Sequence, residues 1–301
     1  MYVEEEFMSN FKKNLGDRFD AKLCKDISGM SQICIDLKPK RSLSELFINQ
    51  KMDVTNLVEY INKHKENNSD DKLTYFHAFM TAIGKTIYNR PLLNRFVANR
   101  HVYEHNNISI SFVMKIEFND KSEEIMVIMP IEEDDTIFTI GKKVSDKVNK
   151  VRTKGDTGTG ANSAIQILGK LPNIIRIPIV GVFKIFDKFG WLPKSLVEDN
   201  IYYSSMIVSN IGVLKCGGIY HNVTDFGTCS GLITMGEIKE EVIKVNNKNE
   251  KRYFCEFGVT IDERIADGFY MIKSLHLIEH LFKHPELLEG RADEKIEIEK
   301  K

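Results

Sequence analysis

Near the C-terminal end of the chain, Asp262, Glu263 and Arg264 are followed at short range by Asp267 and Gly268. Phe257, Val259 and Ile261 alternate with smaller or more polar neighbours just before them, which predicts a strand. An apolar-periodic helix is predicted to start after the Asp267-Gly268 turn. The acids and the guanidinium therefore fall at the rim of a sheet, where a rigid scaffold can hold side chains that do chemistry. Other candidates are weaker. His276, His280 and His284 stand at four-residue steps, a spacing that could offer zinc ligands, but no Cys or acidic partner accompanies them and a solvated helix flank is expected. Residues 154–161 carry three glycines without the Gly-Lys-Ser/Thr ending of a phosphate loop, and are read as a linker.

These residues need a scaffold, and parts of one are visible. Leu73, Phe76, Met80, Ile83 and Ile87 recur at three- and four-residue steps, which predicts a helix over 73–89 with Thr74 as cap and Pro91 as stop. Ile108, Ile110, Phe112, Met114, Ile116 and Phe118 alternate with Ser109, Ser111, Lys115 and Glu117, the pattern of a long half-buried strand. The turn residues 119–122 and the apolar run 125–129 complete a hairpin. Residues 33–37 read as a short strand, 42–50 as a short helix or turn with Phe47 and Ile48 buried, 52–61 as a strand end passing into a helix, 62–71 as a charged loop and 136–150 as an exposed helix. A strand is expected over 201–209 and a hairpin across 246–249, and the last helix is expected to bury Ile272, Leu275, Ile278 and Phe282. Residues 174–192, with Ile177, Phe183, Phe186, Phe189 and the only tryptophan, Trp191, are expected to be buried against the core or a subunit partner, in preference to a peripheral membrane contact, for which Arg176, Lys184 and Lys188 are few basic charges.

The order Asp262, Glu263, Arg264, Asp267, Gly268 resembles the Asp-His-Arg-x-x-Asp-Gly signature of the acyltransferase component of 2-oxo-acid dehydrogenase complexes. Its shorter His-x-x-x-Asp-Gly core is shared with chloramphenicol acetyltransferases. Asp53-Val-Thr, the helix from Leu73-Thr74, the Arg90-Pro91-Leu-Leu-Asn94 element, the long strand and Val208-Ser-Asn-Ile-Gly212 follow in the family's order, so the similarity runs over about residues 41–290. It implies an α/β (α+β) two-layer sandwich, a mixed β-sheet with helices on one face in the chloramphenicol-acetyltransferase-like arrangement. The expected layout is an N-terminal extension (1–40), an acyltransferase-like catalytic domain (41–290) and a charged, frayed tail (291–301). It further implies a homotrimer with active sites between subunits, and coenzyme A or acyl-CoA as substrate, with a small-molecule or carrier-borne acyl acceptor. Glu263 would take the place of the catalytic base, Ser209 would donate to the tetrahedral oxyanion, and Asp267 would pair with an arginine, for which Arg41 is a candidate. Arg264 would instead serve to neutralise Glu263, and His221 is a second source of imidazole. The roughly 40 residues before the similarity are too few for a lipoyl or subunit-binding domain, so no lipoyl attachment site is expected.

The change from His to Glu has a size. Against a thiol of pKa about 8.5, an imidazole at about 6.5 is about two units short and a carboxylate at about 4.3 is about four. The extra two units correspond to about 2.7 kcal/mol, roughly a hundredfold in rate if all of it reaches the barrier. Two readings follow: a coenzyme-A-dependent acyltransferase with an altered active site, or a catalytically inactive relative that binds coenzyme A or an acylated partner as scaffold or sensor.

Composition narrows the alternatives. The 301 residues are 42% hydrophobic and 28% charged, with a net charge of −1, which fits a globular fold and gives no whole-molecule field for nucleic acid or an anionic membrane. Five scattered cysteines without a Cys-x-x-Cys pair argue for free thiols, for no cysteine-based metal site and for a reducing compartment. The acidic N-terminus lacks the pattern of a signal peptide, so cytoplasmic residence is expected. No uninterrupted apolar run is long enough to span a membrane.

Overall fold

The computed structural model describes residues 14–67, 73–115, 124–154, 167–198 and 200–298. The long strand read from alternation is β5 (Ile108–Lys115), and it pairs antiparallel with β6 (Glu124–Ile131). Ile116, Phe118, the turn over 119–122 and, past the helical Lys154, the proposed linker 154–161 lie outside the described residues. With β2 (Glu45–Asp53), β7 (Met206–Asn210), β8 (Gly231–Val245) and β9 (Lys248–Asp262), β5 and β6 form a six-stranded sheet in the order β2-β9-β8-β7-β5-β6. β7 runs parallel to both β5 and β8 while the other pairings are antiparallel, so the sheet is mixed, as expected.

One face of this sheet carries α2 (Thr55–Asn67), α3 (Tyr75–Asn89), α4 (Ile137–Lys154) and the C-terminal helix (Gly268–Lys283). The period-two pattern of β9 points Cys255, Phe257, Val259 and Ile261 to the helices, and Phe257 lies between Phe79 and Phe282 with ring centroids 5.3 and 5.6 Å away. The α3 stripe is buried as its spacing requires, and Thr74 caps the helix by accepting from the His77 N–H at 3.2 Å. The intervening strand residues face the other way. There Ile207 and Leu232 pack with Val223 and Cys229, and the loop through Ile219 lies flat on the sheet, its N–H and carbonyl both bonded to the Thr234 hydroxyl. Gly258 is what lets the loop lie so close: a Cβ there would stand 2.1 Å from the Ile219 carbonyl oxygen.

Several local expectations are corrected. Residues 33–37 belong to α1 (Gly29–Leu37), not a strand, because Ser28 accepts from the Ser31 N–H and starts a helix; only Ile35 is buried. Residues 42–50 hold a 3-10 turn (Arg41–Leu43) and then most of β2, whose nine residues all pair with β9, and Phe47 is exposed against Tyr220. Helix α2 continues to Asn67, into the expected loop. The segment 201–209 is a 3-10 turn followed by β7. β8 and β9 are continuous strands joined at Asn246 and Asn247, both with positive φ (49° and 65°), the geometry of a two-residue hairpin turn. The last helix buries Met271 in place of Ile272. The tail is packed rather than frayed as far as Ile296: the fully buried Lys85 ammonium donates to the carbonyls of Gly290 and Arg291, Ala292 is buried, and Asn89 bonds Glu294 and Ile296.

The apolar segment 174–192 is buried only in part against the core of its own chain. It forms α5 (Asn173–Phe189), followed by a one-turn helix α6 (Lys194–Val197), which makes the C-terminal helix α7. Phe183 and Leu192 pack inward, but Ile174, Ile177, Val182, Ile185, Phe189 and Trp191 are exposed on this chain.

A small sheet in the order β1-β4-β3, from β1 (Ala21–Leu23), β3 (Arg95–Ala98) and β4 (His101–His105), joins the main body at His105. Its Nδ1 lies 2.9 Å from the Asn94 carbonyl and its Nε2 2.9 Å from the Thr228 hydroxyl. Burial, aided by Arg18 and Arg41 nearby, outweighs the Asn94 carbonyl and Asp20, holds the imidazole neutral and pushes its pKa from 6.5 down to about 4. An unfolded chain therefore takes up a proton near pH 6.5 that the folded chain refuses until about pH 4. The stability associated with His105 is full above pH 6.5 and is lost as pH falls through that window, by about 3 kcal/mol in all. Denaturant unfolding of the protein and of His105→Gln between pH 7 and pH 4 is expected to show a shallower loss of stability in the variant.

Candidate functional site

The turn after β9 is built on a buried charge. Asp262 is fully buried, and its carboxylate accepts from Arg264 Nε (2.8 Å) and Nη2 (2.6 Å), from the Arg264 N–H (3.1 Å) and from the Ser44 hydroxyl (3.1 Å). Arg41, also buried, brings its Nε to 3.8 Å from the same carboxylate and donates to the carbonyls of Gly227 (3.0 Å) and Thr224. Arg264 Nη1 reaches across to the Lys38 carbonyl at 3.0 Å. One strand end, the 3-10 turn, the end of α1 and the loop near 224–227 are thereby fastened to one carboxylate.

Glu263 stands on this support with its N–H donating to the Ser44 carbonyl at 2.9 Å. Its side chain is partly exposed and forms an ion pair with Lys38, whose pKa is raised chiefly by that hydrogen bond. Arg264 is thus not the neutralising partner of Glu263; its fork is used by Asp262. Nor does Asp267 meet an arginine. It is exposed and accepts from the Tyr270 N–H at 2.7 Å as the N-cap of α7, while the arginine sought for it, Arg41, lies against Asp262 five residues earlier.

Ser209 lies elsewhere. It is near the end of β7, on the wall of a largely apolar cleft of about 930 Å³ between the sheet and helices α3 and α4, which Phe112, Met114, Arg152 and Met235 also line. Asn210 accepts from the Gly212 N–H at 3.1 Å and shapes the turn that follows. The register fixes how far Ser209 is from Glu263. Ser209 is opposite Thr234, Thr234 is opposite Gly258, and Asp262 bonds Ser230. The two residues are thus about 16 Å apart along the strands and about 10 Å across them. Within one chain they do not meet.

His221 is exposed, with Nδ1 2.8 Å from the Asn222 carbonyl. Its loop is tied through the Val223 N–H (2.6 Å) and the Asn222 amide to Glu45, the residue after Ser44, so it borders the Glu263 end of the sheet. His280 and His284 have ring centroids 4.6 Å apart, and among the described residues no group of three His, Cys, Asp or Glu side chains is arranged to hold a metal. Arg41 and Arg264 are each visible in the sequence as candidates near this turn, but their joint claim on Asp262 and the place of Lys38 are set by tertiary structure.

Residues 37–155 match the model of the family described as 2-oxoacid dehydrogenases acyltransferase (catalytic domain). The match covers β2 through α4 and ends before Ser209 and Glu263, so it bears on the scaffold. The lipoamide acyltransferase component of the branched-chain alpha-keto acid dehydrogenase complex of Bacillus subtilis (strain 168) is 26% identical over 227 residues, covering 69% of this chain and 50% of that protein. The chain thus spans about half the length of this relative. Among solved structures, a probable dihydrolipoamide acetyltransferase from Listeria monocytogenes 4b F2365 superposes with a TM-score of 0.56 at 17% identity, covering 87% of this chain and 95% of that one. A chloramphenicol acetyltransferase superposes with a TM-score of 0.52 at 12% identity, covering 87% and 99%. The fold is that of these acyltransferase cores, and the chain resembles the catalytic domain of the 2-oxo-acid dehydrogenase acyltransferases.

The buried carboxylate, and not the exposed ion pair, holds the turn. Asp262→Asn leaves two buried guanidiniums without their counter-charge and is expected to lower unfolding free energy by about 3–5 kcal/mol. Lys38→Met is expected to leave the denaturation midpoint where it is. Chemical denaturation of both variants checks the contrast.

Proposed function

We propose that this relative of the dehydrogenase acyltransferase catalytic domains is a coenzyme-A-dependent acyltransferase working as a homotrimer, in which Glu263 of one copy and Ser209 of its neighbour complete one site. The supporting observation is the separation of the two residues, about 16 Å along the sheet, when each sits where the chemistry would need it: Ser209 on a cleft wall, Glu263 on a braced turn at the opposite rim. The acceptor is a diffusible small molecule or a group presented by a carrier. Five free cysteines support a reducing, cytoplasmic setting.

In this reading the Glu263 carboxylate takes the proton of a thiol, hydroxyl or amine as that group attacks the thioester carbonyl. The Ser209 hydroxyl donates to the tetrahedral oxyanion. Collapse breaks the carbon–sulfur bond, and the departing coenzyme A thiolate takes back the proton from Glu263. Asp262, Arg41 and Arg264 act through the turn, as positioning residues. Lys38 has to leave the carboxylate before Glu263 can accept a proton.

That last requirement favours a second reading, an inactive trimeric relative that retains coenzyme A or an acylated partner. The readings separate in one assay, incubation of pure protein with acetyl-CoA and a set of thiol and amine acceptors, with acylated product measured by mass spectrometry. Turnover that falls by 10²–10³ in Ser209→Ala, is abolished in Glu263→Gln and rises up to roughly a hundredfold in Glu263→His is expected of the enzyme. Coenzyme A binding without turnover, in the wild type and in Glu263→His alike, is the outcome of the inactive reading.

A further inference from the structure

Helix α5 is amphipathic, but turned inside out. Its single acid, Asp187, faces inward and is buried: Oδ1 accepts from the Tyr203 hydroxyl at 2.6 Å, Oδ2 from the Gly227 N–H at 2.9 Å, and its carbonyl from Arg18 Nη1 at 2.8 Å. Phe183, one turn earlier, packs inward with Leu192, Val197 and Tyr203. At about 100° per residue, Ile174, Val182, Ile185 and Phe189 fall within about 80° of one another on the opposite side. Those four are exposed, Ile174 by 84% and Ile185 by 54%, and Trp191, 64% exposed, stacks on Phe189 just past the helix end with centroids 4.8 Å apart. An apolar stripe of this extent, held outward by a polar anchor, is a surface built to be covered.

Charge selects what covers it. Arg176, Lys184 and Lys188 lie on the helix, with Lys184 and Lys188 along one edge of the stripe, and Lys170 and Lys194 flank it in sequence. With Asp187 turned inward, the charges that α5 leaves at its surface are all positive. We propose that α5 is a membrane-surface helix: it lies flat on an anionic bilayer, with Ile174, Val182, Ile185 and Phe189 in the headgroup–acyl boundary, Trp191 at the interface and the lysines on lipid phosphates. Apolar insertion plus attraction to anionic lipid is the physics of such helices, and aromatic side chains favour that depth. The helix lies on the bilayer and does not cross it; none of the described helices is long and apolar enough to span. The docking is independent of whether the Glu263 site turns over.

Co-sedimentation of the full chain with phosphatidylcholine vesicles containing about 30% phosphatidylglycerol, at low and at physiological salt, tests the proposal. The chain is expected to sediment with these vesicles and at least tenfold less with pure phosphatidylcholine. The surface double variant Ile185→Glu/Phe189→Glu is expected to stay in the supernatant while keeping the wild-type melting temperature and the wild-type mass by light scattering. Lys184→Gln/Lys188→Gln, which leaves the apolar face intact, is expected to bind several-fold more weakly and to lose most of the salt dependence. Absence of wild-type sedimentation overturns the proposal, as does binding that the glutamate substitutions leave unchanged. A double variant that falls to a lower-mass species, with no vesicle binding by the wild type, identifies a second copy of the chain as the occupant and overturns it too.

Discussion

The carboxylate of Asp262 is the constraint that the C-terminal end of β9 depends on. A fully buried anion is tolerated only with counter-charge and hydrogen bonds, and here two guanidiniums, a hydroxyl and a backbone N–H supply them. Such an ion cluster gives little net stability, because desolvating three charged groups offsets most of their attraction. What it gives is position. Arg41 cannot satisfy Asp262 and the carbonyls of residues 224 and 227 unless the 3-10 turn, the sheet end and that loop are in one arrangement. Gly227 in turn donates to Asp187, so the same loop fastens both the rim bearing Glu263 and the inner side of α5.

Parallel pairing of β7 with β8 has the opposite effect on Ser209. β7 enters the sheet beside the N-terminal part of β8 and leaves it at Asn210, opposite Met235, so its end opens into the cleft against α3 and α4. β9 runs back along β8 and ends level with Ser230. Two strand ends that point opposite ways in one sheet cannot share a reacting atom. In the proposed mechanism the chemistry joining Ser209 to Glu263 is therefore assembled by apposing two copies.

The parts of this fold that could be read from the chain are those whose signal is local. Helix α3 shows its stripe and its Thr74 cap within 17 residues, and β5 shows its alternation. β2 was missed because its apolar content is modest; what makes it a strand is β9, some 200 residues later. α1 was missed because Ile33, Ile35 and Leu37 imitate alternation, while the Ser28 cap that decides the matter lies outside that pattern. Asp267 and Asp262 are both acids near a turn, and only the tertiary position of Arg41 tells the buried partner from the helix cap. The apolar density of 174–192 was plain, but density alone does not say which side an anchoring Asp187 will turn inward.

The exchange of imidazole for carboxylate at position 263 is best understood together with the cations around it. Arg41 and Arg264 share the Asp262 carboxylate, Asp225 also lies within electrostatic reach of Arg41, and Lys38 adds a further positive charge at the rim. A neutral imidazole at 263 would leave Lys38 without this partner; a glutamate supplies it. Glu263 and Lys38 therefore form a unit in which the residue that could take a proton is the one already engaged with an ammonium. Because Lys38 caps the C-terminal end of α1 and is nearly half exposed, its hold on Glu263 is screened by water and can be exchanged for a ligand's own charge. An acceptor carrying an anionic group near its nucleophile would draw Lys38 aside as it arrives and free the carboxylate at the moment the proton has to move, whereas a neutral acceptor would have to compete with the pair.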